Sequence, residues 1–349
     1  MTTPLPANRP ATAPRTRPGR APKDDPEHSP PRAPEHSPAR DRERRLAQAA
    51  FAGAPTAVFG LLPADPADLT PRARWLAGVC LGAAGRYGAA ATMLAPTGEP
   101  ASASPDDAVP SLAASTRASH LRQLGRHAEA EPLDLLALRS AGSSPAAAVA
   151  RADALVGLVA DAVGALDLGL ALDRLGAAEG DLAPGAGPRS AGGWIDGARW
   201  RGLVRLDWVR AETALLGGDP AAAVLAATAA LDRARRAAAP RHVTKSLMML
   251  GATTQAIGDE NLAIRQLGSA AAAAARLGAL PLVWPARLLL ARLLDEGDPR
   301  TAERERQAAG SALCAIAGGL PAAEAASLLA RPEIRFVVDS RDESLWDVP

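Results

Sequence analysis

Cations recur in this chain at a fixed place relative to a set of glycines. Thirteen residues before Gly85, Gly164, Gly218 and Gly258 stand Arg72, Arg151, Arg205 and Lys245; Leu112 and Trp284 hold the same place before Gly125 and Gly297. Ten residues before the same glycines stand Trp75, Ser115, Ala154, Trp208, Met248 and Arg287. A guanidinium presents a planar fork of donors to a carboxylate or phosphate, and an ammonium a compact point charge. Repeated cations beside apolar anchors therefore suit the capture of an anionic group better than bond-making chemistry. Near a helix start the macrodipole disfavours positive charge, so the recurrence calls for a cause. Acids of a neighbouring unit could pair with these cations, or a ligand could.

Signatures of catalysis are missing. A P-loop needs Gly-Lys, and the two lysines, Lys23 and Lys245, follow Pro22 and Thr244. No Gly-x-Ser-x-Gly, His-Glu-x-x-His or Cys-x-x-Cys occurs. Gly185-Ala186-Gly187-Pro188-Arg189-Ser190 opens like a dinucleotide fingerprint but lacks its third glycine and its strand. His120 and His127 are separated by the turn at Gly125, and His28 and His36 lie in a repeated Pro-Glu-His-Ser-Pro whose prolines block a helix. The expectation is a chain with no cofactor, no metal and no enzymatic activity. Cys80 and Cys314 fall on apolar helical stretches, which suits two reduced thiols and a cytoplasmic location. Arg44-Arg45 ahead of an apolar stretch imitates an export signal, but Gly53-Ala54-Pro55 interrupts it and argues for a short helix pair split at Pro55.

The elements that position these residues follow from composition and period. Aromatics reach only 3%, and Ala, Leu and Arg, all strong helix formers, dominate. The net charge of +1 gives no nucleic-acid footprint for the whole chain. The turn glycines are spaced by 40, 39, 54, 40 and 39 residues, and the outlier spans a Gly/Pro-rich insertion at 176–194. Gly218-Asp219-Pro220 and Gly297-Asp298-Pro299 supply a helix stop, an N-cap carboxylate and a first-turn proline. Small residues keep the same phase. Seven before the glycines stand Gly78, Ala118, Gly157, Ala211 and Gly251; five after, Ala90, Ala130, Gly169, Ala223, Ala263 and Ala302; twelve after, Ala137, Gly176, Ala230, Ala270 and Ala309. Helices crossing at 8–10 Å need such residues at the contact.

Leu250-Gly251, Ala263, Leu267 and Ala270, and again Arg122-Gln123-Leu124-Gly125-Arg126-His127-Ala128-Glu129-Ala130, resemble the tetratricopeptide repeat family over 71–317. The period near 40 exceeds that family's 34, so HEAT or armadillo arrays stay open as an alternative. The fold expected is all-α, an α-solenoid of six to seven antiparallel helix pairs over 41–330. A disordered Pro/Arg-rich tail precedes it over 1–40, and a C-terminal tail follows over 331–349, where Ile334, Phe336 and Val338 alternate as in an extended segment. The resemblance implies that the first helix of each pair lines a concave groove for a peptide or partner helix. It places Arg72, Trp75, Arg151, Arg205, Trp208 and Lys245 there, with Arg122 and Gln123 contributing. The function expected is a protein-interaction scaffold taking an acidic peptide. The alternative is an adaptor in which the tail, with five cations and no acid from Arg9 to Lys23, contacts nucleic acid or another anionic polymer. No membrane partner is expected.

Overall fold

A computed structural model describes residues 37–96, 108–141, 145–183 and 193–339. The tail over 1–36, and with it the anionic-polymer reading, lies outside these residues. Among the described residues every regular element is helical. In chain order they are α1 (Pro38–Phe51), α2 (Pro71–Ala83), α3 (Tyr87–Met93), α4 (Val109–Gln123), α5 (His127–Ser140), α6 (Pro145–Gly164), α7 (Leu168–Asp181), α8 (Gly193–Leu216), α9 (Pro220–Arg236), α10 (Pro240–Ala256), α11 (Glu260–Leu277), α12 (Leu280–Leu294), α13 (Pro299–Ala317), α14 (Ala322–Leu329) and α15 (Pro332–Asp339). A 3-10 turn over Pro55–Gly60 follows α1, so the leading pair is split at Pro55 as expected. From α2 to α13 the helices pack consecutively in six pairs, an α-solenoid. None of the described helices is long and apolar enough to cross a membrane.

The turns explain the pairing. Gly85, Gly125, Gly218 and Gly258 adopt positive φ, and Asp219, Asp259 and Asp298 each accept a hydrogen bond from a backbone N–H three residues on, at 2.9–3.1 Å. The third turn corrects the expected register. Gly164 ends α6, and the left-handed residue is Leu166, at φ 59°, followed by Asp167 capping Leu170 N–H at 2.9 Å. Leu166-Asp167 therefore occupies the place of Gly218-Asp219, and the whole unit shifts by two residues. With that shift the small residues fall into line. Ala130, Ala171, Ala223, Ala263 and Ala302 after the turns are fully buried, as are Ala137, Ala178, Ala230, Ala270 and Ala309 one stretch later. Gly169 and Gly176, placed at those positions by the sequence, lie on the open side of α7 instead: a Cβ on Gly176 would touch nothing. At Gly251 a Cβ would sit 2.7 Å from Leu267 Cγ, the close approach that the repeat requires.

Two expected loops are partly helix. The insertion placed at 176–194 contributes its first residues to α7 and its last to α8, which runs for 24 residues against 17 in α10. Only 184–192 fall outside the description. At the C-terminus, 332–339 is not extended but helical as α15: Pro332 opens it, and Ile334 and Val337, three apart, turn to one face and bury against the end of the array. Pro38–Arg40, assigned to the tail, already belong to α1.

The last elements meet the first. Gly88 N–H donates to Gly319 carbonyl at 3.2 Å, Arg331 donates to Leu124 carbonyl at 2.6 Å, and Arg126 pairs with Glu324 at 2.9 Å. Tyr87 and Leu124 share one apolar cluster with Leu313, Ile316, Ile334 and Val337. The array thus returns on itself, and its inner helices enclose space.

Candidate functional site: a cationic cavity on the inner face

That space is a cavity of about 430 Å³, lined by the first helix of every pair: α2, α4, α6, α8, α10 and α12. Its lining follows the helical repeat. On α8 it is Arg201, Arg205, Trp208 and Glu212; on α10, Arg241, Lys245 and Met248. Steps of four and three residues keep these side chains on one helix face. The two sets stand in equal register, since each α10 member lies 40 residues after its α8 counterpart. Asp153 and Val156 of α6 and Ser115 of α4 hold the matching places in their own units.

Charge in the cavity is unevenly compensated. Asp153 pairs with both Arg201 and Arg205, whose side chains are only 11% and 14% exposed. Glu212 is the acid that acts on Lys245, and no ion pair to Arg241 forms among the described residues. Burial, then Arg205 and Arg241, hold the Arg201 guanidinium well below its ordinary range. Burial and then Arg122 push Arg205 down to about 10. Lys245 is lowered by burial against the pull of Glu212. Its ammonium lies 4.4 Å from the centre of the Trp208 ring, a cation–π contact. His242, 2% exposed, is kept neutral by burial and by the surrounding cations; it stacks on Trp208 at 5.5 Å and meets Trp200 edge-on at 4.8 Å. Trp208 donates through Nε1 to Ser246 Oγ at 2.8 Å, which fixes its ring. Four buried polar atoms of the lining find no hydrogen-bond partner among the described residues: Arg241 Nε, His242 Nδ1, His127 Nδ1 and Ser115 Oγ.

Of the residues singled out from the sequence, Arg122, Gln123, Arg205, Trp208 and Lys245 line this cavity. Three do not. Arg72 pairs with Glu43 at 3.4 Å. Trp75 is buried against Phe51, ring centroids 6.0 Å apart, and donates to Thr116 Oγ1 at 3.0 Å. Arg151 pairs with Asp181 at 2.7 Å. It misses the cavity because the third unit is shifted by two, so its counterpart in the lining is Asp153. Arg122 lines the wall, but its head is committed to Asp134 and, at 3.1 Å, to Asp161. Sequence reasoning overlooked Arg201 and Arg241. The signal was present: seventeen residues before Gly218 and Gly258, each stands one helical turn ahead of Arg205 or Lys245.

The arrangement presents four cationic side chains to one space, a donor set that suits an anionic group. Among the described residues no group of His, Cys, Asp and Glu could hold a metal ion. The Cys80 thiol, pushed up to about 12 by burial, has no thiolate to offer at neutral pH.

No known family model matches the chain, and no curated protein is similar to it.

Proposed function

We propose that this chain is a binding protein, a scaffold or adaptor of tetratricopeptide-like repeats, whose inner face holds an acidic group of a peptide partner. One observation carries the reading. Arg201, Arg205, Arg241 and Lys245 converge on one cavity in which Asp153 and Glu212 supply the opposing charge. Buried cations in a low-dielectric site are costly unless they are matched, and a bound anion matches them. A volume near 430 Å³ lies in the range of pockets that take small ligands, a chain end or one or two side chains. The buried alanines after each turn support the tetratricopeptide likeness, while the long period sets these units apart from that family's average.

Selection from a random heptapeptide display library on the immobilised full chain tests the reading. Acidic residues should be enriched in the retained peptides, and Lys245→Met should abolish the enrichment with helical circular dichroism unchanged. Arg151→Gln, which alters only an ion pair outside the cavity, should leave it intact. Retention of basic or purely apolar peptides, or equal retention by Lys245→Met, would contradict the proposal.

A further inference from the structure

Resting on that reading, we propose that the anionic group taken by the cavity is a phosphoryl dianion, held between the Arg241/Lys245 pair of α10 and the Arg201/Arg205 pair of α8. The argument begins with charge. Arg201 and Arg205 share the single carboxylate of Asp153. Lys245 faces Glu212, and Arg241 has no acid beside it. Arg122 on the wall is committed to Asp134 and Asp161, so the cation left without an acid of its own is Arg241, and a bound anion supplies its missing partner.

Donor geometry points the same way. Three guanidinium groups and one ammonium reach one space from two adjacent helices, and guanidinium forks match phosphate oxygens two at a time. The donors in surplus are in the right place. Arg241 Nε is buried without a partner, and the hydroxyl of Ser115, 2% exposed, lines the same cavity from the α4 side with its own oxygen unpartnered. His242 Nδ1, equally unpartnered, completes a polar rim that the neutral imidazole can use as donor or acceptor. The three terminal oxygens of a phosphate monoester can accept from this many donors at once, whereas a carboxylate has two oxygens. The low exposure of the cations strengthens each contact relative to water. Burial lowers Arg201 and Lys245 first and the neighbouring cations lower them further, and both costs to the charged forms are offset when the dianion enters.

Isothermal titration of the full chain separates the possibilities with four probes. These are inorganic phosphate, pyrophosphate, the pentapeptide Ala-Ala-phosphoserine-Ala-Ala, and its glutamate counterpart. The phosphoserine peptide should bind at least tenfold more tightly than the glutamate peptide. Arg241→Gln should weaken it at least tenfold, as should Lys245→Met, which keeps the proposal testable if the first variant folds poorly. Phosphate or pyrophosphate binding with the same loss in both variants, but no gain from the peptide, supports the dianion and identifies a small phosphorylated ligand. Equal affinity for the phosphoserine and glutamate peptides overturns the phosphoryl assignment and leaves the acidic-peptide reading standing. Binding of none of the four by folded protein overturns both.

Discussion

The buried triad of Arg122, Asp134 and Asp161 allows a sharp test of how the inner and outer helices are tied together. Arg122 sits on α4, Asp134 on α5 and Asp161 on α6, with side chains 9%, 0% and 2% exposed. Replacing Arg122 by Met keeps most of the volume and removes the charge that both carboxylates face. Taking one partner from a buried pair costs about 3–5 kcal/mol, because the remaining charge is left unmatched. The cost must depend on pH. Burial pushes Asp134 up to about 6 even with Arg122 beside it, and it raises Asp161 as well. A carboxyl whose native pKa lies above its unfolded value favours folding most when protonated. Its contribution is complete below the unfolded value near 4 and is lost as pH rises through 6. Without Arg122 that native value rises further. Arg122→Met should therefore cost about 3–5 kcal/mol at pH 8 and clearly less at pH 5, where a neutral carboxyl needs no counterion. Asp134→Asn in the Arg122→Met background should restore part of the loss. Urea denaturation followed by helical circular dichroism at both pH values measures all of these. A cost below about 1 kcal/mol at pH 8, or a larger cost at pH 5, refutes the reasoning.

Other predictions concern packing, backbone and titration. Gly251→Ala forces a Cβ within 2.7 Å of Leu267 Cγ and should destabilise by about 1–3 kcal/mol in denaturant titration; a neutral result would mean that α10 and α11 are not in close contact. Leu166→Gly relieves a left-handed residue whose side chain is 76% exposed, so it should raise the melting temperature, a gain of up to about 1 kcal/mol after glycine's extra unfolded-state entropy; a lower melting temperature would contradict the turn geometry. His120 is buried between Gly82 and Tyr87, and burial pushes its imidazole down to about 3. Its native value lies below its unfolded one, so it favours folding above pH 6.5, by an amount that decreases by about 1.4 kcal/mol per pH unit on acidification from there. In a stability–pH profile from pH 6.5 to 4, His120→Leu should take up about one proton fewer on unfolding; an unchanged slope would place the ring in water.

Much of the scaffold was legible because its constraints are local. Turn glycines, N-cap aspartates and the small residues five and twelve after the turns are dictated by helix ends and helix crossings. The third unit was misread for a local reason too. Gly164 looks like the stop, yet the chain goes on two residues and puts Leu166 into the left-handed region, where an exposed leucine is tolerated. That slip displaced Arg151 for Asp153 and placed Gly169 and Gly176 where Ala171 and Ala178 belong. The C-terminal helix was hidden because Ile334, Phe336 and Val338 alternate; α15 buries Ile334 and Val337 instead. The cavity itself was half legible. Arg205, Trp208 and Lys245 repeat at a fixed offset, and Arg201 and Arg241 stand one helical turn before Arg205 and Lys245; that turn also faces inward, which shows only once the inner helices surround a cavity. Closure is a sum of small rotations over six pairs. The contacts of Arg331 with Leu124 and Arg126 with Glu324 span about 200 residues and leave no periodic trace.

The central claim is that an anion sits among the inner-face cations. Anomalous diffraction from crystals of the full chain soaked in tungstate, a tetrahedral dianion, tests it most directly. The account predicts a tungsten peak in the cavity, within hydrogen-bond reach of Arg241 and Lys245, and its loss from crystals of Lys245→Met. Peaks confined to the outer surface, or a cavity peak that survives the substitution unchanged, would contradict it.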